Sequence, residues 1–249
     1  MSRLPVVEKS QMNTVFLAME LLDNLPHDKL KICPQGNGIL QTELRTSEID
    51  SSELEEHFYP LTDPLLHEMT QIQPLYIPSQ NMAQKWIPSV ACGMIQQLYQ
   101  QRPNASLLLA DFDWLPPPTL QTGSIHTRKS LSSDYEPLIT DMNDIDHACY
   151  LTAPPMCDVL FPTDFPLLGA FVSSLLTNLF TCADKSSRAT TSIRGPCNIV
   201  NIDKQRDFLL KFGDEEIKRT TSRWTGYNPL LQDFSNCSVL TVSRKQSNS

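Results

Sequence analysis

TVFLAMELLDNLP, residues Thr14–Pro26, places an unbroken apolar run (Val15, Phe16, Leu17, Ala18) ahead of two acids, Glu20 and Asp23. Asn24-Leu25-Pro26 ends it. An apolar run without alternation predicts a strand covered on both faces, as in a parallel α/β sheet. Ligands of such sheets bind just outside the carboxyl ends of the strands. Glu20 and Asp23 are therefore candidates for chemistry. Ser106–Trp114, SLLLADFDW, repeats the pattern, with Leu107–Ala110 leading into Asp111 and Asp113. Before it, Val90, Met94, Ile95 and Leu98 recur at helical spacing over Ser89–Gln101. Strand, helix, strand implies a right-handed crossover and parallel neighbours. Both acidic ends then point to one edge of the sheet.

Around this unit the chain predicts a hairpin over about 29–43, turning at Gly36-Asn37-Gly38. Ser52 with Glu55 forms a capping box, which predicts a helix from Glu53; Glu53, Glu55 and Glu56 would favour its N-terminus. Asp63-Pro64 opens a further helix through about Gln71. Residues 73–88, with Pro74, Pro78 and Pro88, read as a loop. Residues 115–147 read as a long polar insertion over the strand ends. A buried helix follows over 164–181, with Thr163 or Asp164 as cap, Pro166 in its first turn and Asp158 as a further capping acid. Residues 183–195 read as a flexible linker and 197–202 as a strand. A helix over 203–212 ends at Gly213, and 238–242 form a last strand. All of it reads as one domain over 1–249.

Bulk properties narrow the function. The chain has 249 residues, 40% of them hydrophobic, enough for a substantial core. A formal net charge of −8 argues against a nucleic-acid backbone as partner. The 7 cysteines form no CxxC and no Cys/His cluster with zinc spacing. With 8 glycines, the chain holds no GxGxxG, no GxxxxGK[ST] and no GxSxG. The apolar stretch Phe165–Phe180 is too short and too polar for a membrane span. The N-terminal MSRLPVVEKSQ has no signal-peptide core and, with Glu8, makes a poor transit peptide.

Four segments, in order, resemble the MidA-like methyltransferases, the mitochondrial family that methylates a protein arginine during respiratory complex I assembly. Ala18-Met19-Glu20-Leu21-Leu22-Asp23-Asn24-Leu25-Pro26 is similar to the family's Ala-Asn-Glu-Phe-Phe-Asp-Ala-Leu-Pro. Ala110-Asp111-Phe112-Asp113 resembles its Ala-Asp-Tyr-Gly, and Asp158–Phe165 its Asp-Leu-Thr-Ala-x-Val-Asp-Phe. Gln205, Phe208, Leu209 and Gly213 match its Gln-x-x-Phe-Leu-x-x-x-Gly. Met19 stands where the family has Asn, and Asp113 where it has Gly.

The resemblance implies a partial Rossmann-like methyltransferase sheet lacking the N-terminal cofactor-binding strands. In the family, S-adenosylmethionine lies on a glycine-rich loop after the first strand. Here 13 residues precede Thr14, whereas one βαβ unit needs roughly 30. The expectation is a chain without the cofactor half, with the 14–20 strand left at an open sheet edge. Glu20 and Asp23 would bind and orient a substrate guanidinium, Asp111 and His27 would contact substrate, and the protein partner would be a complex I subunit in the mitochondrion. The other reading is a non-catalytic assembly protein derived from the same family. Asp23 also reads as a cap of its own turn, Asp111 as a loop-fixing group and His27 as a solvated turn residue.

Overall fold

The structure, a computed structural model, describes residues 14–33, 38–47, 53–73, 83–116, 136–184 and 198–244. Its elements run β1 (Val15–Met19), β2 (Asp28–Ile32), β3 (Ile39–Thr46), β4 (Leu54–Pro60), α1 (Pro64–Ile72), β5 (Ala83–Ile87), α2 (Ser89–Gln101) and β6 (Ser106–Phe112). Then follow β7 (Leu138–Thr140), β8 (Asp158–Leu160), α3 (Phe165–Asp184), β9 (Asn198–Lys204), α4 (Gln205–Phe212), α5 (Asp214–Thr220), α6 (Pro229–Gln232) and β10 (Cys237–Arg244). The chain divides into two compact units, each assembled from separate segments.

One unit comprises Met1–Glu20, Ala91–Asp111 and Phe165–Ser249. Its four-stranded sheet has the order β1-β6-β10-β9. β1 and β6 are parallel, in register from Val15↔Ser106 to Met19↔Ala110. The expected parallel pairing of these two strands is therefore present, with α2 preceding β6. β9 and β10 pair antiparallel. Leu107, Leu109, Val239, Leu240 and Val242 of the sheet are buried, as are Leu167, Leu168, Phe171 and Val172 of α3. α3 lies close on the strands at Gly169, where a Cβ would stand 2.7 Å from the Ile202 Cδ1. The helical period of Leu167, Leu168, Phe171 and Leu175 is what gives α3 its buried face.

One expectation about β1 fails. Its apolar run predicted cover on both faces, yet Val15, Leu17 and Met19 are 70%, 62% and 56% exposed, and only Ala18 is buried. Among the described residues β1 ends the sheet order. A terminal strand buries only what its single neighbour and the layer beneath it cover.

The other unit comprises Leu21–Val90 and Phe112–Asp164. Its main sheet has the order β4-β3-β2-β5, with antiparallel pairing throughout. The predicted hairpin is β2–β3, and Gly38 takes the left-handed φ of +81° at its turn. The helix predicted from Glu53 is instead β4. Leu54–Pro60 lies against β3 from Thr46 to Leu40, and aromatic Phe58 and Tyr59 favour a pleated surface over a helix. The macrodipole role of Glu53, Glu55 and Glu56 falls with that helix. The loop read over 73–88 contains β5, which supplies the outer partner of β2 from Asp28↔Ile87 to Ile32↔Ala83. Within the predicted 115–147 insertion, Leu138–Thr140 forms β7, paired with β8; residues 117–135 lie outside the described residues, as does most of the linker read at 183–195. Asp158 is a strand residue of β8, not a helix cap.

α1 begins where Asp63-Pro64 predicts. The Asp63 side chain accepts from the Leu66 N–H at 2.9 Å, with Pro64 in the first turn. α4 ends at Gly213, whose N–H donates to the Leu209 carbonyl at 2.7 Å. Asp63→Ala should lower unfolding free energy by about 1 kcal/mol through the lost cap. Phe171→Ala, which empties a fully buried ring site, should cost about 3–5 kcal/mol. Urea denaturation followed by circular dichroism checks both.

Candidate functional site

Two strand ends make the site in the first unit. The register of β1 and β6 closes at Met19↔Ala110, so the next residues on the two strands are Glu20 and Asp111. The Glu20 N–H donates to the Ala110 carbonyl at 2.9 Å, which carries the ladder one bond past β1. Glu20 then adopts φ +49°. Left-handed backbone costs a residue with a Cβ about 1 kcal/mol, and such strain collects at functional sites. Glu20 itself is exposed, whereas Asp111 is 1% exposed. An accessible carboxylate thus stands beside a buried one at the carboxyl edge of a parallel pair, where α/β sheets bind ligands. The sequence placed both acids at this edge.

The other two predicted residues belong to the second unit, and there the structure describes a tight turn. The Leu25 N–H donates to the Leu22 carbonyl at 3.1 Å. Asp23 is 3% exposed; its Oδ1 accepts from the Asn24 side-chain amide at 2.7 Å, and its carbonyl accepts from the Phe161 N–H at 2.8 Å. These contacts support the turn-holding reading of Asp23. His27 is not the solvated turn residue that one reading expected. Its ring stacks on Phe161, with centroids 4.5 Å apart and 9° between planes. Its Nδ1 lies 3.0 Å from the Leu25 carbonyl. A carbonyl only accepts, so this bond assigns the proton to Nδ1 and leaves Nε2, buried and without a partner, as the basic nitrogen. Burial pushes the imidazole down to about 4, which makes it a weak proton acceptor at neutral pH.

Sequence reasoning missed the groups that surround this turn. Asp164, read as a helix cap, is buried and its Oδ2 lies 3.0 Å from the Lys85 Nζ of β5. Trp86 packs its ring at 5.2 Å from Phe161. Both partners sit in the segment read as a loop, so only recognition of β5 could have found them. Gln205 and Phe208, read as packing, do pack: the Gln205 amide reaches the Leu230 carbonyl at 3.4 Å and Phe208 lies 5.0 Å from Phe212. Among the described residues no group of His, Cys, Asp and Glu has metal-holding geometry, and no helix is long and apolar enough to cross a membrane.

The sequence matches, over residues 2–178, the family described as "Putative S-adenosyl-L-methionine-dependent methyltransferase". The chain belongs to that family. Two solved structures from Burkholderia thailandensis share its fold. One is an uncharacterised protein, 12% identical with a TM-score of 0.58, whose match covers 98% of this chain and 57% of that one. The second, of the same superfamily, is bound to S-adenosyl-homocysteine; it is 10% identical with a TM-score of 0.54, covering 98% of this chain and 56% of that one. This chain therefore spans little more than half the length of either. No curated protein matches it.

An adenosyl group needs backbone it can approach closely, and glycine at a strand end provides that. Here β1 is followed by Glu20-Leu21 and β6 by Asp113-Trp114. Gly38 and Gly226 occupy turns, Gly93 lies within α2, Gly169 faces Ile202, and Gly213 ends a helix. Among the described residues no strand end carries a glycine turn of the kind that lies under an adenosyl group.

His27 predicts a pH response. Its pKa falls from 6.5 to about 4 on folding, so the unfolded chain takes up its proton first as pH drops. The group's stabilisation is complete above pH 6.5 and is lost as pH falls toward 4. The loss is on the order of 3 kcal/mol. His27→Phe, which keeps the stack on Phe161, should flatten that part of the stability–pH curve between these limits in urea titrations.

Proposed function

We propose that the chain supplies the substrate-side edge of an S-adenosyl-L-methionine-dependent protein arginine methyltransferase, with Glu20 as the carboxylate that holds the acceptor guanidinium. The observation that carries this reading is the left-handed Glu20, tied by its own N–H to Ala110 beside Asp111 at the carboxyl edge of β1 and β6. A guanidinium presents a planar fork of N–H donors that a single carboxylate accepts bidentately. Held so, its plane and the direction of its nitrogen lone pair are set before reaction, and orientation of this kind is a large part of catalysis. Asp111 is its neighbour at the end of β6. The proposal rests on these two residues; Asp23 and His27, in the other unit, have only the catalytic and substrate-contact roles that the resemblance implies.

The reading extends, on the resemblance, to a partial Rossmann-like sheet and to a complex I subunit as substrate, modified in the mitochondrion. The solved relative bound to S-adenosyl-homocysteine supports the methyl-donor class. The rival reading is a non-catalytic assembly protein of the same descent. It is favoured by the exposed Val15, Leu17 and Met19 on β1, an apolar strip suited to a partner.

Calorimetric titration with S-adenosyl-L-methionine and methyl transfer to arginine-containing mitochondrial protein separate the two. The proposal expects saturable binding and a methylarginine product. It also expects Glu20→Gln to lower turnover by about 100-fold, the worth of a charged hydrogen-bond pair. Glu20→Gly should abolish transfer too, yet leave stability within about 1 kcal/mol of wild type, because glycine adopts the left-handed backbone freely. Absence of binding and of transfer would establish the non-catalytic reading for this polypeptide.

A further inference from the structure

A lysine ammonium is enclosed by side chains of the second unit. Lys29 of β2 points its Nζ to 2.6 Å from the Glu56 Oε1 of β4, and the two side chains are only 10% and 14% exposed. The same Nζ lies 5.3 Å from the ring centroid of Trp86 on β5 and 5.5 Å from that of Tyr150. The two rings meet edge to face, with centroids 5.6 Å apart and 76° between planes. The Tyr150 hydroxyl donates to the Glu56 oxygen that receives Lys29. An ammonium is thus enclosed by two aromatic rings and one carboxylate, largely out of water. That is the chemistry by which proteins recognise organic cations.

We propose that this box is a binding site for a primary alkylammonium, and that Lys29 is its built-in occupant. Lys29 stands opposite Trp86 in the β2–β5 register, so the strand pairing aligns the stem of the lysine with one wall of the box. Tyr150 follows β7 and is joined to the box by its ring and its hydroxyl, so the occupant also fastens that segment to the sheet. The site favours an ammonium over a guanidinium. The cation meets a single carboxylate oxygen and ring faces, which suits a compact point charge; a planar fork would need two acceptor oxygens side by side. The proposal does not depend on Glu20, because none of the four residues belongs to the β1–β6 edge.

Chemical rescue tests it on the full chain. Lys29→Ala removes the occupant and leaves the Glu56 charge unpaired, so the melting temperature should fall by roughly 10 °C. Added n-propylammonium chloride should restore at least half of that fall, saturably, whereas sodium chloride at equal ionic strength should not. The wild-type chain, its box filled, should show no such shift. The double variant Lys29→Ala/Trp86→Leu should lose the rescue, and propylguanidinium should rescue Lys29→Ala less well than propylammonium. If Lys29→Ala does not fold in plain buffer, recovery of a cooperative melt on adding propylammonium is the same readout. Rescue no better than sodium chloride, or equal rescue in the double variant, would overturn the site. Equal rescue by propylguanidinium would overturn its preference for an ammonium.

Discussion

The parallel pairing of β1 with β6 is the constraint on which the proposed chemistry rests. Their register, from Val15↔Ser106 to Met19↔Ala110, brings two acids from sequence positions about ninety residues apart to neighbouring strand ends. A slip of one residue would turn the side chains of β1 to the other face. The bond from the Glu20 N–H to the Ala110 carbonyl fastens the last position. It also holds Glu20 in a backbone conformation that a side chain normally avoids. The strain sits on the residue to which the proposal gives the substrate, and strained backbone collects at functional sites.

The second unit is held by partnerships of another kind. β2 is the inner strand between β3 and β5, and its lysines reach outward to distant elements. Lys29 meets Glu56, Trp86 and Tyr150, while Lys31 lies 4.1 Å over the Phe58 ring. Lys85 pairs with Asp164. The stack of His27 on Phe161, with Trp86 tilted against Phe161, continues as one row of rings from the Asp23 turn toward the Lys29 box. Charges this sheltered stabilise only while both partners are present, since one left alone is a buried, unsatisfied ion. The row thus couples the local turn after β1 to the order of the antiparallel sheet.

Where the reading of the sequence failed, a non-local partner was responsible. Ser52 and Glu55 make a good capping box, but the eight-residue β3 was available alongside, and Leu54–Pro60 paired with it. Residues 83–87 carry no helical or alternating signal of their own; β2 recruits them as its second neighbour. Asp164, the residue before α3, also meets Lys85, a partner that no local signal announces. β1 looked doubly covered because Val15, Leu17 and Met19 are apolar, and its place at the end of the sheet order exposes them. The family resemblance was legible in four short segments, and the match over residues 2–178 bears out a methyltransferase family at that coarser level.

The amino-acid sequence by itself determined the local elements whose signals lie within a few residues: the apolar strand before Glu20, the helix Ser89–Gln101, the caps at Asp63 and Gly213, and the apolar face of α3. It also pointed to Glu20 and Asp111 on one sheet edge, because strands joined through a helix run parallel and so end on the same side. Tertiary structure alone decided which strands lie beside β2, that Asp164 answers Lys85, that His27 is buried against Phe161, and that Lys29 stands in a box of Trp86, Tyr150 and Glu56. The reason is physical. Caps and periodicity are properties of neighbouring residues, whereas burial and charge pairing depend on what the rest of the chain brings alongside.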